Sequence, residues 1–380
     1  MRTAAPRSRV MPEQLSDVHA SSAGAIDGAP IQSPVMKAVT YHGVGDFRVT
    51  ELPKPELTGP GDALVRITLS AICGSDLHIY HGHTPIDEGA PIGHEMVGVV
   101  EAVGPEVRDV KRGDRVVAPF FTACGRCYQC RRGWYSQCEE RAIFGHGAFF
   151  GGLGGAQAEY CTVPHADLNL ARIPEDVDDE PAIFVGDILS TGYFAAERGQ
   201  IRPGDTVAVI GAGPVGLMSV MCAQLFGPAR VFAVDMVDSR LEVAGDLGAI
   251  PLDSRVTNPV VEIQGHTGGV GADVALECVG QIAAIETAIN CVRGGGTVSS
   301  VGVPSAINAD FPYFDAWNRD LTFRSGWTNV HPYMRPLLDL IAAGRLHPER
   351  VISHRLRLDD AVTAYRMFDR REATKIVLRP

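Results

Sequence analysis

Basic residues are in short supply. Lys and Arg total 34 against 45 Asp and Glu, for a formal net charge of −11. A nucleic-acid binder needs a basic face to neutralise phosphates, so no such partner is expected. No secretion signal is read at the start, although Arg2, Arg7 and Arg9 give a trace of transit-peptide character. Nine cysteines without an export signal imply a reducing, cytoplasmic setting and metal ligation. Internal repeats and long low-complexity segments are absent, which excludes a repeat array. Membrane-length runs are scarce as well. The uncharged stretch 206–229 is long enough to cross a bilayer, but its glycines and proline are spaced for another purpose. No membrane partner is expected.

What the chain does have is two rhythms. Its 380 residues, 45% hydrophobic and 21% charged, are a globular composition with room for about two domains. Residues 1–34 are rich in Ala, Ser, Pro and Gly without an apolar period, and read as a disordered extension. Within 35–187, the runs Val35–Tyr41, 63–70, 96–103 and 115–119 are apolar or β-branched and bounded by Gly, Pro and Asp. That is strand punctuation, and it predicts a β-rich, barrel-like domain. Within 188–326 strands (207–210, 229–235, 272–278, 297–301) alternate with helices (from the glycine motif to Leu225, 239–247, 281–292). Alternation at this spacing implies right-handed βαβ units and a parallel sheet covered on both faces. Residues 327–380 carry a helix pattern at 334–343 and a last strand at 376–378, and need not belong to that sheet. The expected fold class is α/β, a doubly wound parallel sheet beside a β-rich domain.

Cys124, Cys127, Cys130 and Cys138 stand at C-x2-C-x2-C-x7-C. The short spacings let thiolates from one tight loop converge on an ion, and the fourth returns to close a tetrahedron. Zn²⁺ suits four sulfur ligands, and four protein ligands leave no position for chemistry, so this is read as a structural zinc lobe. Ordinary thiols, two disulfides or an iron–sulfur cluster are the competing readings.

Gly211, Gly213 and Gly216 form G-x-G-x-x-G between a strand and a helix. The first permits the turn, the second lets backbone approach a pyrophosphate, and the third lets helix and strand pack closely. The helix then turns its positive end toward the phosphates. Asp235 ends the next strand, where an acidic residue would bind the ribose hydroxyls of NAD; Met236 and Val237 offer no basic partner for the extra phosphate of NADP. The competing reading leaves the glycines to packing alone. Earlier, CGSDLH at 73–78 and GHE at 93–95 offer a thiolate, Cys73, and an imidazole, His94, from separate loops, as an open catalytic zinc site requires. Singly, each is equally well a core residue.

As a set, CGSDLH, GHE, the four-cysteine lobe, VIGAGPVG and Asp235 make the chain resemble the zinc-dependent alcohol dehydrogenases of the medium-chain dehydrogenase/reductase family, over nearly all of 36–380. The resemblance implies a GroES-like catalytic domain, a Rossmann domain with a cleft between them, and a chain that returns to the catalytic domain after Gly326. It implies a homo-oligomer, a tetramer ahead of a dimer. By position, Cys73 and His94 match catalytic zinc ligands, and Glu95 a carboxylate able to approach or replace a ligand. Asp76 matches the group that orients His94. Ser75 and His78 match a proton relay through the nicotinamide ribose to solvent; His78 is equally a surface histidine. Pro214 and Val215 complete the phosphate turn, Thr191 matches a nicotinamide contact, and Arg240 a residue beside the adenine.

The chain departs from the best-known members at one ligand, where Asp187 in GDILSTGY stands for a cysteine. Thiolate and carboxylate carry the same charge, but oxygen is the harder donor. Asp187, with GGAQAEY and VPHADLNLARIP, is similar to the branch of glutathione-independent formaldehyde dehydrogenase, without that branch's insertions. Cys161 is the rival ligand, and a helix cap is the alternative duty for Asp187. The implied reaction is hydride exchange between an alcohol, or an aldehyde or ketone in reverse, and NAD, with one catalytic and one structural zinc per chain. Polyol, threonine or formaldehyde specificity stays open. Two other classes compete: a zinc-free quinone or enoyl reductase, which would lack Cys73, His94 and the lobe, and a non-catalytic NAD-binding zinc scaffold, which would lose the open-site ligands.

Overall fold

The computed structural model describes residues 34–305, 308 and 310–380. The disordered extension expected over 1–34 falls, but for Pro34, outside the described residues. In the first half, strand Ala63–Ala71 pairs antiparallel with Glu95–Val103 and with Tyr160–Val163. The sheet continues through Arg115–Ala118 to Ala171–Arg172 on one side, and through Ile376–Arg379 to His354–Arg357 on the other. The last strand of the chain is therefore a neighbour of one of the first. A hairpin, Val35–Tyr41 with Phe47–Pro53, packs outside this sheet.

The second half holds six parallel strands in the order Ile250–Asp253, Arg230–Asp235, Thr206–Ile210, Ala272–Glu277, Val292–Ser300, Thr322–Ser325. Successive side chains of a strand point to opposite faces. Val207 and Val209 accordingly join one apolar cluster, with Leu217 and Leu337, while Ala208 and Ile210 join another, with Ile263 and Ile289. Both faces are covered, which is why these strands read as continuous apolar runs. The stretch 206–229 is a strand, a glycine turn and the helix Pro214–Gln224. No helix of the described residues is long and apolar enough to cross a membrane.

Two of the differences from the sequence reading bear on the site. The strand expected at 297–301 begins at Val292, with a register break against Ala272–Glu277; three consecutive glycines, Gly294–Gly295–Gly296, hid its first half. The helix Ile188–Gly199 was not legible. Nine of its twelve residues are buried, which leaves only a narrow exposed side at Tyr193, Glu197 and Arg198. It lies tightly on Pro214–Gln224: a Cβ at Gly192 would stand 2.5 Å from the backbone of Met218. The loop holding Asp187 and the helix behind the glycine turn are thus locked together.

Candidate active site

Three segments distant in sequence meet in the interior. Cys73 follows the strand Ala63–Ala71, His94 precedes the strand Glu95–Val103, and Asp187 precedes the helix Ile188–Gly199. Their ligand atoms lie within 4.8 Å of one another, and all three residues are buried. Asp187 Oδ2 is 3.4 Å from Cys73 Sγ and 3.3 Å from His94 Nε2. Asp187 makes no side-chain cap bond to its helix; its carboxylate is turned to the cluster instead. Cys161 sits in the strand Tyr160–Val163 among apolar residues of the β-rich core and is not part of the cluster.

Asp76 lies behind His94, with Oδ1 3.1 Å from His94 Nδ1. Its other oxygen accepts from the Cys73 amide, Gln157 Nε2 and the Tyr365 hydroxyl, at 3.0, 3.1 and 3.1 Å. Burial disfavours the charge of Asp76, but His94 and the Cys73 amide outweigh it and hold the carboxyl below its ordinary range. Burial likewise works against a charged His94, yet Asp76 and Asp187 raise it well above the usual value. Nδ1 therefore faces Asp76, and Nε2 is left on the side of Cys73 and Asp187. Ser75 Oγ stands 3.3 Å from the same Nε2. His78 is one helical turn on, half-buried, with its pKa lowered by burial and by His83 and His81. The one bond between Ser75 and His78 is along the backbone, from the His78 amide to the Ser75 carbonyl at 3.1 Å; their side chains are not hydrogen-bonded to each other.

Glu95 is not one of the three clustered ligands. Its Oε2 accepts from Lys375 Nζ at 2.5 Å, and its Oε1 has no hydrogen-bond partner. Burial raises Glu95 to about 7 against the pull of Lys375. Lys375 is 0% exposed, an environment a lysine tolerates only when paired. His146 also escaped the sequence reading. Its ring stands 5.3 Å from that of His94, and its Nδ1 donates to the Phe144 carbonyl at 2.9 Å. Phe120, Phe150 and Trp327 complete a half-buried aromatic wall here. A lone Lys opening the apolar run Ile376–Leu378 was the available signal for Lys375; His146 offered none.

The four lobe cysteines also bring their sulfurs within 4.8 Å of one another, and all are free thiols. Backbone N–H groups of Cys124 and Glu140 point at Cys138 Sγ, and that of Cys130 at Cys127 Sγ. The amides of Glu139 and Cys130 lower the Cys127 thiol to about 6. Amides aimed at sulfur favour the thiolate that binds metal, but burial outweighs them at Cys130 and Cys138 and pushes those thiols up.

At the end of the strand Thr206–Ile210, Gly211 has φ +89, and a Cβ there would collide with Val279 at 2.3 Å. A Cβ at Gly216 would lie 1.7 Å from the Gly211 carbonyl. Gly213 is different, because the nearest atom to its missing Cβ is Arg240 Nη1, at 3.8 Å. The fold itself leaves that space free, as a close-lying pyrophosphate requires, at the N-terminus of a helix that opens with Pro214 and Val215. Asp235 accepts from the amides of Ala212, Met236 and Val237, so it shapes the loop it would share with a ribose. Arg240 Nη1 is 3.9 Å from it. Thr191 donates to the Asp187 carbonyl and accepts from the Thr328 hydroxyl, both at 2.9 Å.

The chain is similar to known proteins along most of its length. Residues 59–175 match the alcohol dehydrogenase GroES-like domain, and residues 214–343 match the zinc-binding dehydrogenase family. An alcohol dehydrogenase of Cupriavidus necator is 36% identical over 363 residues, spanning 91% of this chain and 99% of its own. The solved alcohol dehydrogenase TADH from Thermus sp. ATN1 is 48% identical with a TM-score of 0.88, over 90% of this chain and 99% of that one. A dehydrogenase structure from Sinorhizobium meliloti 1021 bound to NADP is 30% identical with a TM-score of 0.81, over 92% and 100%. With both of its halves matched and relatives aligned along nine-tenths of its length, the chain belongs to the zinc-dependent alcohol dehydrogenases of the medium-chain dehydrogenase/reductase family.

Proposed function

We propose that this oxidoreductase exchanges a hydride between an alcohol, or the matching aldehyde or ketone, and NAD, with catalytic zinc on Cys73, His94 and Asp187 and structural zinc on the four-cysteine lobe. The observation that carries the reading is the convergence of one sulfur, one imidazole nitrogen and one carboxylate in the interior. Three protein ligands leave a fourth position for substrate, and the two anionic ones balance a divalent ion. Zinc held there would polarise the substrate oxygen and ease loss of its proton, while the nicotinamide supplies the redox chemistry.

The chain's own residues do the rest. Asp76 fixes the ring of His94. Ser75 stands beside His94 Nε2, placed to take the proton of the reacting hydroxyl, and His78 delivers it to solvent by way of the cofactor ribose. Phe120, Phe150 and Trp327 keep water from the reacting carbon. Thr191 supports the nicotinamide. Gly211, Gly213, Pro214, Val215 and Gly216 hold the pyrophosphate, and Asp235 selects NAD, with Arg240 beside the adenine. The enzyme acts in the cytoplasm as a homo-oligomer, a tetramer ahead of a dimer.

Metal analysis and a substrate panel test this. Two zincs per chain are expected, matching the two clusters. Cys73→Ser should abolish turnover with the fold kept. Cys127→Ser should lower thermal stability or assembly, since a structural zinc contributes folding free energy. Primary and secondary alcohols, polyols, threonine and formaldehyde, each with NAD⁺ and NADP⁺, define the substrate. One zinc with no turnover would favour a scaffold, and a preference for NADP⁺ would remove the role given to Asp235.

A further inference from the structure

The four-cysteine lobe and the nicotinamide side of the cleft are joined through two consecutive residues. Asn329 is buried and bonded twice to the lobe. Its Oδ1 accepts from the Ser136 amide at 3.2 Å, and its Nδ2 donates to the Gly133 carbonyl at 2.7 Å. Ser136 and Gly133 lie between Cys130 and Cys138, in the arc that returns the fourth cysteine. The preceding residue, Thr328, is also buried and donates to Thr191 Oγ1. Thr191 in turn donates its own hydroxyl hydrogen bond to the carbonyl of Asp187. Flanking contacts hold the same segment. The Arg141 guanidinium, which donates to the Ser136 carbonyl, lies over Trp327 at 4.3 Å. The ring of His331 stacks near Tyr135 of the lobe at 4.9 Å.

We infer that Asn329 is a positioning residue through which the metal-loaded lobe sets Thr328 and Thr191, so that the lobe governs cofactor binding as well as stability. The inference rests on the reading of Thr191 as a nicotinamide contact. Its physical basis is geometric. Folding of the arc 131–137 around a metal fixes the Ser136 amide and the Gly133 carbonyl. Those two groups fix the Asn329 amide plane. Thr328 is one peptide away and has no freedom left to move from Thr191. The bonds of Asn329 to Ser136 and of Thr328 to Thr191 join buried partners, where a misplaced group stays unpaired rather than turning to water; the bond to Gly133 is half-buried.

The test is a double-mutant cycle on NADH affinity, using full-length, zinc-loaded protein. Asn329→Ala and Thr328→Val should each weaken NADH binding by about fivefold with zinc content unchanged, and the double variant should be no weaker than the worse single one, because both break one chain. Asn329→Asp, which keeps the acceptor for Ser136 and loses the donor to Gly133, should fall between. Binding and linkage are reciprocal. In cobalt-substituted protein, NADH should therefore slow the chelator-driven loss of the lobe's thiolate absorption bands in the wild type, but not in Thr328→Val. Unchanged affinity in Asn329→Ala, single effects that simply multiply in the double variant, or equal NADH protection of the lobe in Thr328→Val would overturn the inference. A wild-type protein that binds no NADH would instead overturn the proposed function, and this inference with it.

Discussion

The carboxylate of Asp187 lies 3.3 Å from Nε2 of His94, although 92 residues of chain separate the two. A loop residue that could have capped its helix leaves those amides and faces an imidazole and a thiol. That orientation decides what its removal should do.

Asp187→Ala should strip one zinc and lower turnover by more than the roughly 10–100-fold that loss of an outer hydrogen-bond partner costs. Asp187→Cys should retain the metal, since charge and reach are nearly kept, and change the rate through a softer donor. Elemental analysis of the two purified variants checks this. Full zinc in Asp187→Ala would remove Asp187 from the proposed ligand set.

Lys375→Met should be strongly destabilising, by about 3–5 kcal/mol, because it strands the Glu95 carboxylate without a partner in the interior. Adding Glu95→Gln should recover much of the loss. Denaturant titration of the single and double variants gives both numbers. Equal stability of Lys375→Met and wild type would mean that the pair is not formed in solution.

Which parts of this site were legible depends on how far apart the partners sit. The four lobe cysteines and the three glycines stand out within short motifs, since local spacing is what their proposed chemistry needs, whereas Cys73 and His94, on separate loops, rest on the pattern as a whole. The parallel sheet was legible from its strand–helix rhythm. Lys375 and Glu95 are 280 residues apart, Asn329 and Gly133 196, and Thr328 and Thr191 137. Such contacts are created by tertiary packing and leave no periodic trace. Asp187 was reachable only through the resemblance, because its neighbour Cys73 lies 114 residues away and no local motif pairs the two.

Asp235→Ala should weaken NAD binding and improve NADP relative to it, because the carboxylate would repel a 2′-phosphate that Arg240 could then receive. Loss of the bonds to Ala212, Met236 and Val237 should loosen the turn, so both affinities are expected to drop and only their ratio to shift. Parallel titrations with NADH and NADPH read the ratio. An unchanged ratio would remove Asp235 from cofactor selection.

Acid should unfold the protein partly through His331. Burial lowers its pKa to about 3, with Nε2 held 2.8 Å from Asn169 Oδ1. The unfolded chain takes up a proton near pH 6.5 that the folded chain refuses. Stability is therefore complete above about pH 6.5 and drains away as pH falls toward 3, by about 2 kcal/mol at pH 5. His331→Gln should be less stable at pH 7 but lose less between pH 7 and 5. Melting temperatures across that interval would show it, and parallel curves for the two proteins would clear His331 of the effect.

The seam at Asp187 also bears on how such chains can be recombined. The Gly186 carbonyl accepts from the Phe120 amide at 2.9 Å, tying it to the β-rich half. Six residues later Gly192 is pressed against Met218 of the nucleotide-side helix. A gene fusion that trades one half for a relative's and joins the pieces at 187/188 would inherit Asp187 from one parent and the helix that follows it from the other. Crossovers beyond Gly199, where the helix has ended, would transfer residue and helix as one piece.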